Sequence, residues 1–163
     1  MQRVFIALGA NVSAPTQTLP LAWRAVVAAL RLSDARLSPI VTSAPAEEAS
    51  GADFANAVGL GYTPMTPRGV LQTLHRVERA FGRDRPSEGH HGARPLDLDL
   101  LEYGSMISAD PTLTLPHPRI AQRWFVIEPL LALEPDWCHP LTGEPGLALL
   151  RGLQPSTAEV DGE

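Results

Sequence analysis

Asp97 and Asp99 stand two residues apart in the run Arg94-Pro95-Leu96-Asp97-Leu98-Asp99-Leu100-Leu101. Successive side chains on a strand point to opposite faces, so the two carboxylates share one face and Leu96, Leu98 and Leu100 share the other. Their Cα atoms then lie about 6.5–7 Å apart, and two like charges at that spacing repel. Solvent or cations between them relieve the repulsion. Hard cations with oxygen ligands, Mg²⁺ first among them, suit such a pair when a substrate phosphate supplies further oxygens. The same alternation is also the signature of an ordinary edge strand with a solvated polar face.

The neighbourhood adds cations. Arg83, Arg85 and Arg94 bracket the stretch before this strand, and Arg119 and Arg123 follow it, beside His117. Arginine presents a planar fork that matches phosphate oxygens. Carboxylates for a metal, with arginines and metal for phosphates, make a polyphosphate–metal site; ordinary surface charge is the competing reading. His117 lies between two prolines in a stiff segment, where it contacts a phosphate or serves the loop. Glu78 falls on a helix face, where a solvated charge is the simplest account. Asn56 follows Phe54 by two on another strand. An aromatic ring and an amide on one face can stack on and hydrogen-bond a flat heterocycle, or be a core ring and an edge amide. His90-His91 is discounted as a metal pair, because adjacent residues rarely converge on one ion and no second pair at zinc spacing appears. Cys138 reads as a core residue, and Trp23 and Trp137 as packing.

The elements that position these residues follow from periodicity. Residues 2–8 read as a first strand, too short and too soon interrupted for an export signal. Residues 13–18 read as a loop and 19–32 as a helix, with Pro20 in its first turn. Residues 36–43 form a second strand interrupted by Pro39, an edge or bulged one. Residues 44–53 read as a surface loop and 54–62 as a third strand. Thr66-Pro67 opens a second helix that Gly82 closes. Residues 83–93 read as a polar loop, and the carboxylate strand ends near Tyr103-Gly104. The order is the split β-α-β-β-α-β pattern, which predicts a four-stranded sheet with both helices on one face and the other face open. A short hairpin over 106–114, a short helix over 119–123 and an apolar stretch over 125–133 follow. Residues 1–150 read as one α+β domain and 151–163 as a loose tail.

Composition bounds the function. At 163 residues with net charge −5, the chain is long enough for one core, and its acidity argues against nucleic-acid binding. No apolar run approaches the ~20 residues that span a bilayer. A cytoplasmic protein is the default. All thirteen basic residues are arginine, which excludes the lysine of a P-loop and of a Schiff base. The single cysteine excludes an internal disulfide and a multi-cysteine zinc site.

Taken together, Ala7-Leu8-Gly9-Ala10-Asn11, Phe54-Ala55-Asn56-Ala57-Val58, Glu78-Arg79-Ala80-Phe81-Gly82-Arg83-Asp84-Arg85, the Leu-Asp-Leu-Asp run, Leu115-Pro116-His117-Pro118-Arg119 and Arg123-Trp124-Phe125-Val126 resemble the 6-hydroxymethyl-7,8-dihydropterin pyrophosphokinase family of folate biosynthesis. The resemblance runs from about residue 3 to residue 137. It implies a ferredoxin-like fold with a C-terminal extension, and transfer of diphosphate from ATP to the pterin hydroxymethyl group with release of AMP. It further implies two Mg²⁺ ions held by Asp97 and Asp99, with catalytic roles for Arg83, Arg85 and Arg94. Nucleotide contacts fall to Glu78, Arg83, Arg94, His117 and Arg123. The pterin pocket falls to Ser43, Ala44, Ala46, Phe54, Asn56 and Phe125. The partners implied are the two small-molecule substrates, with no nucleic acid and no membrane, and the protein a monomer. The chain departs from the family pattern at Pro95, at Ser43-Ala44-Pro45-Ala46-Glu47, at His91 and at Trp124. Those departures leave a second reading, a non-catalytic or altered-substrate paralogue that binds nucleotide or pterin.

Overall fold

A computed structural model describes residues 1–12, 14–44, 53–82 and 95–153. Its elements are β1 (Gln2–Ala10), α1 (Pro15–Ala29), β2 (Ser33–Leu37), β3 (Val41–Ser43), β4 (Phe54–Thr63), α2 (Pro67–Ala80), β5 (Asp97–Tyr103), β6 (Ser108–Asp110), β7 (Leu113–Leu115), α3 (Trp124–Leu133) and α4 (Gly146–Leu153). The main sheet runs β2-β4-β1-β5, with β3 also paired to β4, and these pairings are antiparallel. The chain is thus α+β. The expected second strand is present in two pieces on the same neighbour, broken around Pro39, which has no N–H to give to a ladder.

The alternation of β1 sorts the two faces. Val4, Ile6, Leu8 and Ala10 pack with Leu19, Trp23 and Val26 of α1, Val70, Leu74 and Val77 of α2, and Leu96, Leu98 and Leu100. Phe5, Val58, Leu60 and Leu101 pack on the opposite face with Ile120, Val126, Ile127 and Leu130. The expectation of an open second face is therefore corrected. The apolar stretch over 125–133 is a helix lying on that face, and an apolar sheet face that can reach an apolar helix buries itself against it. Gly59 lies on the α1 face, where a Cβ would collide with the Trp23 ring; glycine is what lets the indole lie against the strand.

The helix boundaries also move. α1 begins at Pro15, after Ala14 in a left-handed conformation (φ 55). Pro20 thus lies inside the helix rather than in its first turn. The exposed first turn needs no apolar residue, so periodicity does not mark it. α1 ends at Ala29, and Ser33 already belongs to β2. α2 begins as expected: Thr66 is the N-cap, its Oγ1 accepting from the Gly69 N–H at 3.1 Å. Gly82 adopts φ 95 just past the helix, a conformation that favours glycine. The expected hairpin is present as β6 paired to β7, and a 3-10 turn, Ile120–Gln122, stands where the short helix is expected. Cys138 is exposed rather than in the core. α4 runs past residue 150. No described helix is long and apolar enough to cross a membrane.

A register shift between Phe5 and Ile6 leaves Leu101 of β5 without a partner in β1. The bulge puts Leu101 and Glu102 together under the C-terminal segment. Glu102 is buried, and its Oε2 accepts from the Trp137 indole N–H at 2.6 Å. Burial raises its carboxyl above the usual 4.5, against the lowering effects of the Trp137 hydrogen bond and the Arg3 charge. A raised folded-state pKa means that the favourable protonated form is fully present below about 4.5 and is lost as pH rises through the folded value. Glu102→Gln keeps an acceptor for Trp137 and removes the buried charge. It should raise stability to urea at pH 7–8 by about 1 kcal/mol, and the gain should vanish below pH 4.5. A lower midpoint at neutral pH would show that the charged hydrogen bond outweighs its burial.

Candidate active site

Leu96, Leu98 and Leu100 are buried among the helices, which fixes the phase of β5 and turns Asp97 and Asp99 to the opposite face. There the rows of the sheet align Asp97 with Gly9 and Asn56, and Asp99 with Ala7 and Val58. α3 covers this face farther along, over Phe5 and Leu101, and its first turn overhangs the carboxylates. Arg123, Phe125 and Val126 of that overhang face Gly9, Asn56, Asp97 and Asp99 across a small cleft. Gly9 matters by absence: its missing side chain leaves the space between Asp97 and Asn56.

Asn56 is buried and its amide orientation is fixed. Nδ2 donates to Ser43 Oγ at 2.9 Å, and lies 3.3 and 3.4 Å from the carbonyl oxygens of Phe54 and Val41. Three acceptors demand that the nitrogen face β3. Oδ1 therefore turns towards Gly9, where an added Cβ would sit 3.5 Å from it. The amide can offer an acceptor to a flat heterocycle in the cleft. Phe125 is half-buried at its rim, edge-on to Trp124 with centroids 6.0 Å apart.

On the other side of β5 lies a larger cleft of about 340 Å³. Leu71 and His75 of α2, Leu98 and Asp99 of β5, the β6–β7 turn around Thr112 and Leu113, and His117 line it. Asp99 lines both clefts. Two ligands, one on each side, would meet at this carboxylate.

Two basic side chains lie close to Asp99. Arg123 NH1 lies 3.7 Å from Oδ2, and His117 Nε2 lies 3.9 Å from Oδ1. His117 is positioned by its backbone, whose N–H donates to Leu101 O at 2.9 Å. Its ring Nδ1 accepts from the Arg119 N–H at 3.2 Å, so the neutral ring carries its proton on Nε2. Burial lowers its pKa to about 4, helped by the Arg123 and Arg119 charges and opposed by Asp97. At neutral pH the site thus presents a neutral N–H donor beside an arginine and a carboxylate.

Of the residues singled out from sequence, the structure brings Asp97, Asp99, Asn56, Phe125 and Arg123 to one cleft, with His117 beside Asp99 in the other. Ser43 is buried behind Asn56, Phe54 is half-buried at the start of β4, and Ala44 is exposed. Glu78 is not a solvated helix charge. It is 1% exposed, lines neither cleft, and accepts from the Leu98 N–H at 2.9 Å. α2 is amphipathic, and the stripe of Val70, Leu74 and Val77 that faces the sheet carries Glu78 inward with it. Ala46, Arg83, Arg85, Arg94, His90 and His91 lie outside the described residues. Sequence reasoning missed Leu71, His75 and the hairpin turn as walls of the larger cleft; only the turn carried a signal, its nearness in the chain to Pro116-His117-Pro118.

Residues 5–135 match the family model described as 7,8-dihydro-6-hydroxymethylpterin-pyrophosphokinase. The chain is 36% identical over 139 residues to the 2-amino-4-hydroxy-6-hydroxymethyldihydropteridine pyrophosphokinase of Pseudomonas aeruginosa, covering 83% of each chain. It is also 36% identical over 143 residues to the enzyme of that name from Haemophilus influenzae, covering 86% of each. Among solved structures, it resembles Plasmodium falciparum HPPK-DHPS wild type with pteroate, with a TM-score of 0.71 at 11% identity. That likeness, of fold alone, covers 93% of this chain and 42% of the longer one.

The His117 environment is directly measurable. In the ligand-free protein its ring should titrate near pH 4 rather than 6.5 in an NMR titration. The unfolded chain takes up this proton at 6.5, so His117 makes folding stability fall as pH drops from 6.5 towards 4. A midpoint at or above 6.5 would mean that the ring swings into solvent.

Proposed function

The chain belongs to the 7,8-dihydro-6-hydroxymethylpterin-pyrophosphokinase family, the pyrophosphokinases of folate synthesis, and we propose that it joins ATP and 6-hydroxymethyl-7,8-dihydropterin at Asp97 and Asp99. The hydroxymethyl oxygen forms a bond to the β-phosphorus. The bond from that phosphorus to the oxygen bridging to the α-phosphate breaks, AMP leaves, and the hydroxyl proton is lost. The observation that carries this reading is the place of Asp99 on the wall of both clefts. Transfer between two bound molecules needs their reacting atoms together and aligned more than it needs a covalent intermediate.

The larger cleft takes the nucleotide. Leu71, Leu98, Leu100 and Leu113 give apolar walls for a base, and its inner end reaches Asp99 and His117. The smaller cleft takes the pterin, with Asn56 Oδ1 accepting from ring N–H groups and Phe125 covering the ring. Ser43 holds the amide rather than touching the pterin. Phe54 and Ala44 border the same side, and Ala46 lies beyond the described residues.

Asp97 and Asp99 fit Mg²⁺. Both are oxygen-only ligands on a rigid strand, and among the described residues no cluster of three or more His, Cys, Asp or Glu side chains could hold a metal ion. The remaining ligands would be substrate phosphates and water, which suits Mg²⁺ better than an all-protein cage. When bound, two such ions would neutralise phosphate charge and favour ionisation of the hydroxyl. Around them, His117 donates its Nε2–H to a phosphate oxygen, and Arg123 spreads positive charge between Asp99 and the phosphates. Arg83, Arg85 and Arg94 supply the other phosphate contacts from the segment before β5. The strand order and the placement of α1 and α2 on one face support a ferredoxin-like β-α-β-β-α-β unit, with residues beyond it as an extension. The reading carries a cytoplasmic monomer acting on small molecules, without nucleic-acid or membrane partners.

Pterin-dependent release of AMP from ATP and Mg²⁺ tests the proposal. Asp97→Asn should lower that rate by about a hundredfold or more, and EDTA should abolish it. Nucleotide and pterin binding without AMP release would instead mark a non-catalytic or altered-substrate paralogue.

A further inference from the structure

We infer that Glu78 is a positioning residue for the carboxylate pair, acting through the backbone of β5. The inference rests on the reading of Asp97 and Asp99 given above. Among the described residues, β5 ends the sheet and pairs with β1 alone. No described strand lies beside its outer edge at Leu98, and the Glu78 carboxylate occupies the place a neighbouring carbonyl would take. Oε2 accepts from the Leu98 N–H at 2.9 Å.

Three features make this contact specific to the site. Leu98 is the residue between the two aspartates, so its amide plane sets how Asp97 and Asp99 splay. The contact is buried, with Glu78 and Leu98 each 1% exposed, so water cannot easily substitute for the carboxylate. Glu78 lies on α2, whose Leu71 and His75 also wall the larger cleft. One helix therefore holds both the nucleotide wall and the strand that carries the carboxylates. A buried charge is costly unless it is hydrogen-bonded, and a leucine or methionine would serve α2's packing at lower cost.

Glu78→Met fills the space without an acceptor, whereas Glu78→Gln restores an acceptor without the charge. In Glu78→Met the Leu98 amide should exchange its hydrogen faster in the free protein. The half-saturating Mg²⁺ for pterin-dependent AMP release should rise about tenfold or more, since small misplacements of catalytic groups are costly. The pterin KM should stay within about twofold, because the smaller cleft keeps Asn56 and Phe125. Glu78→Gln should restore both amide protection and Mg²⁺ dependence. Should Glu78→Met not fold, Glu78→Asp, which withdraws the carboxylate by one methylene, takes its place. Unchanged Mg²⁺ dependence in a folded variant with an unprotected Leu98 amide would overturn the inference, as would failure of Glu78→Gln to restore it. Asp97→Asn, run in parallel, separates the two levels. If that variant keeps full pterin-dependent activity, the reading of the site fails. If it loses activity while Glu78→Met keeps its Mg²⁺ dependence, only the role of Glu78 fails.

Discussion

An edge strand must satisfy its outer backbone groups without a neighbour, and in this protein the edge strand also carries the carboxylate pair. β5 meets that constraint with two different partners. Glu78 takes the Leu98 N–H, and the His117 N–H is donated to Leu101 O. Each contact couples the strand to a segment that builds the site. The first ties it to α2, a wall of the larger cleft. The second ties it to the segment that presents the His117 ring. Unpaired edge groups invite other chains to pair with them. Here the same groups are taken up by contacts within the chain, which blunts the edge.

The division of the sheet's second face follows from where α3 begins. Towards the bulge, Phe5, Leu60 and Leu101 meet Ile127 and Leu130, and water is excluded. Towards Gly9 the helix has not yet started, and the strands present Asp97, Asp99 and a glycine. The site is thus the part of a sheet face that its covering helix leaves bare, with the helix's first residues as the rim. The electrostatics suit phosphate. A neutral imidazole N–H and an arginine flank Asp99, so the carboxylate is partly compensated before any ligand arrives. The ring donates a hydrogen bond at neutral pH without taking up a proton.

The carboxylate pair was legible in sequence because alternation fixes faces: three leucines in the core compel two aspartates out of it. The second helix was legible from its cap, Thr66-Pro67, and its closing Gly82. The start of α1 was not, because an exposed first turn leaves no apolar mark. The covered second face was not either, because an apolar stretch does not say which surface it will meet; only the folded sheet offers Phe5, Leu60 and Leu101 together. Glu78 was misread as solvated for a related reason. Its helix position was correct, but a carboxylate beside an apolar stripe is brought inside only when a backbone donor waits there, and that donor is 20 residues away in the chain. Cys138 was placed in the core on residue type alone, whereas its neighbours Trp137 and His139 are the buried ones.

The departures from the family pattern around residues 43–47 bear on the small cleft, and the local geometry limits their effect. The amide that faces the cleft belongs to Asn56 on the interior strand β4. It is oriented by Ser43 Oγ and by the carbonyls of Val41 and Phe54. Two of these three acceptors are backbone, supplied by any side chain at those positions, and the third is present as serine. Ala44 is exposed and has no part in holding the amide. Substitutions beyond Ser43 leave intact the Asn56 amide and the strand register that aims it. A cleft whose acceptor is fixed from behind by backbone, and whose floor is opened by Gly9, is preorganised for a flat ligand before any loop moves. Preorganisation of that kind reduces the ordering cost of binding a flat ligand.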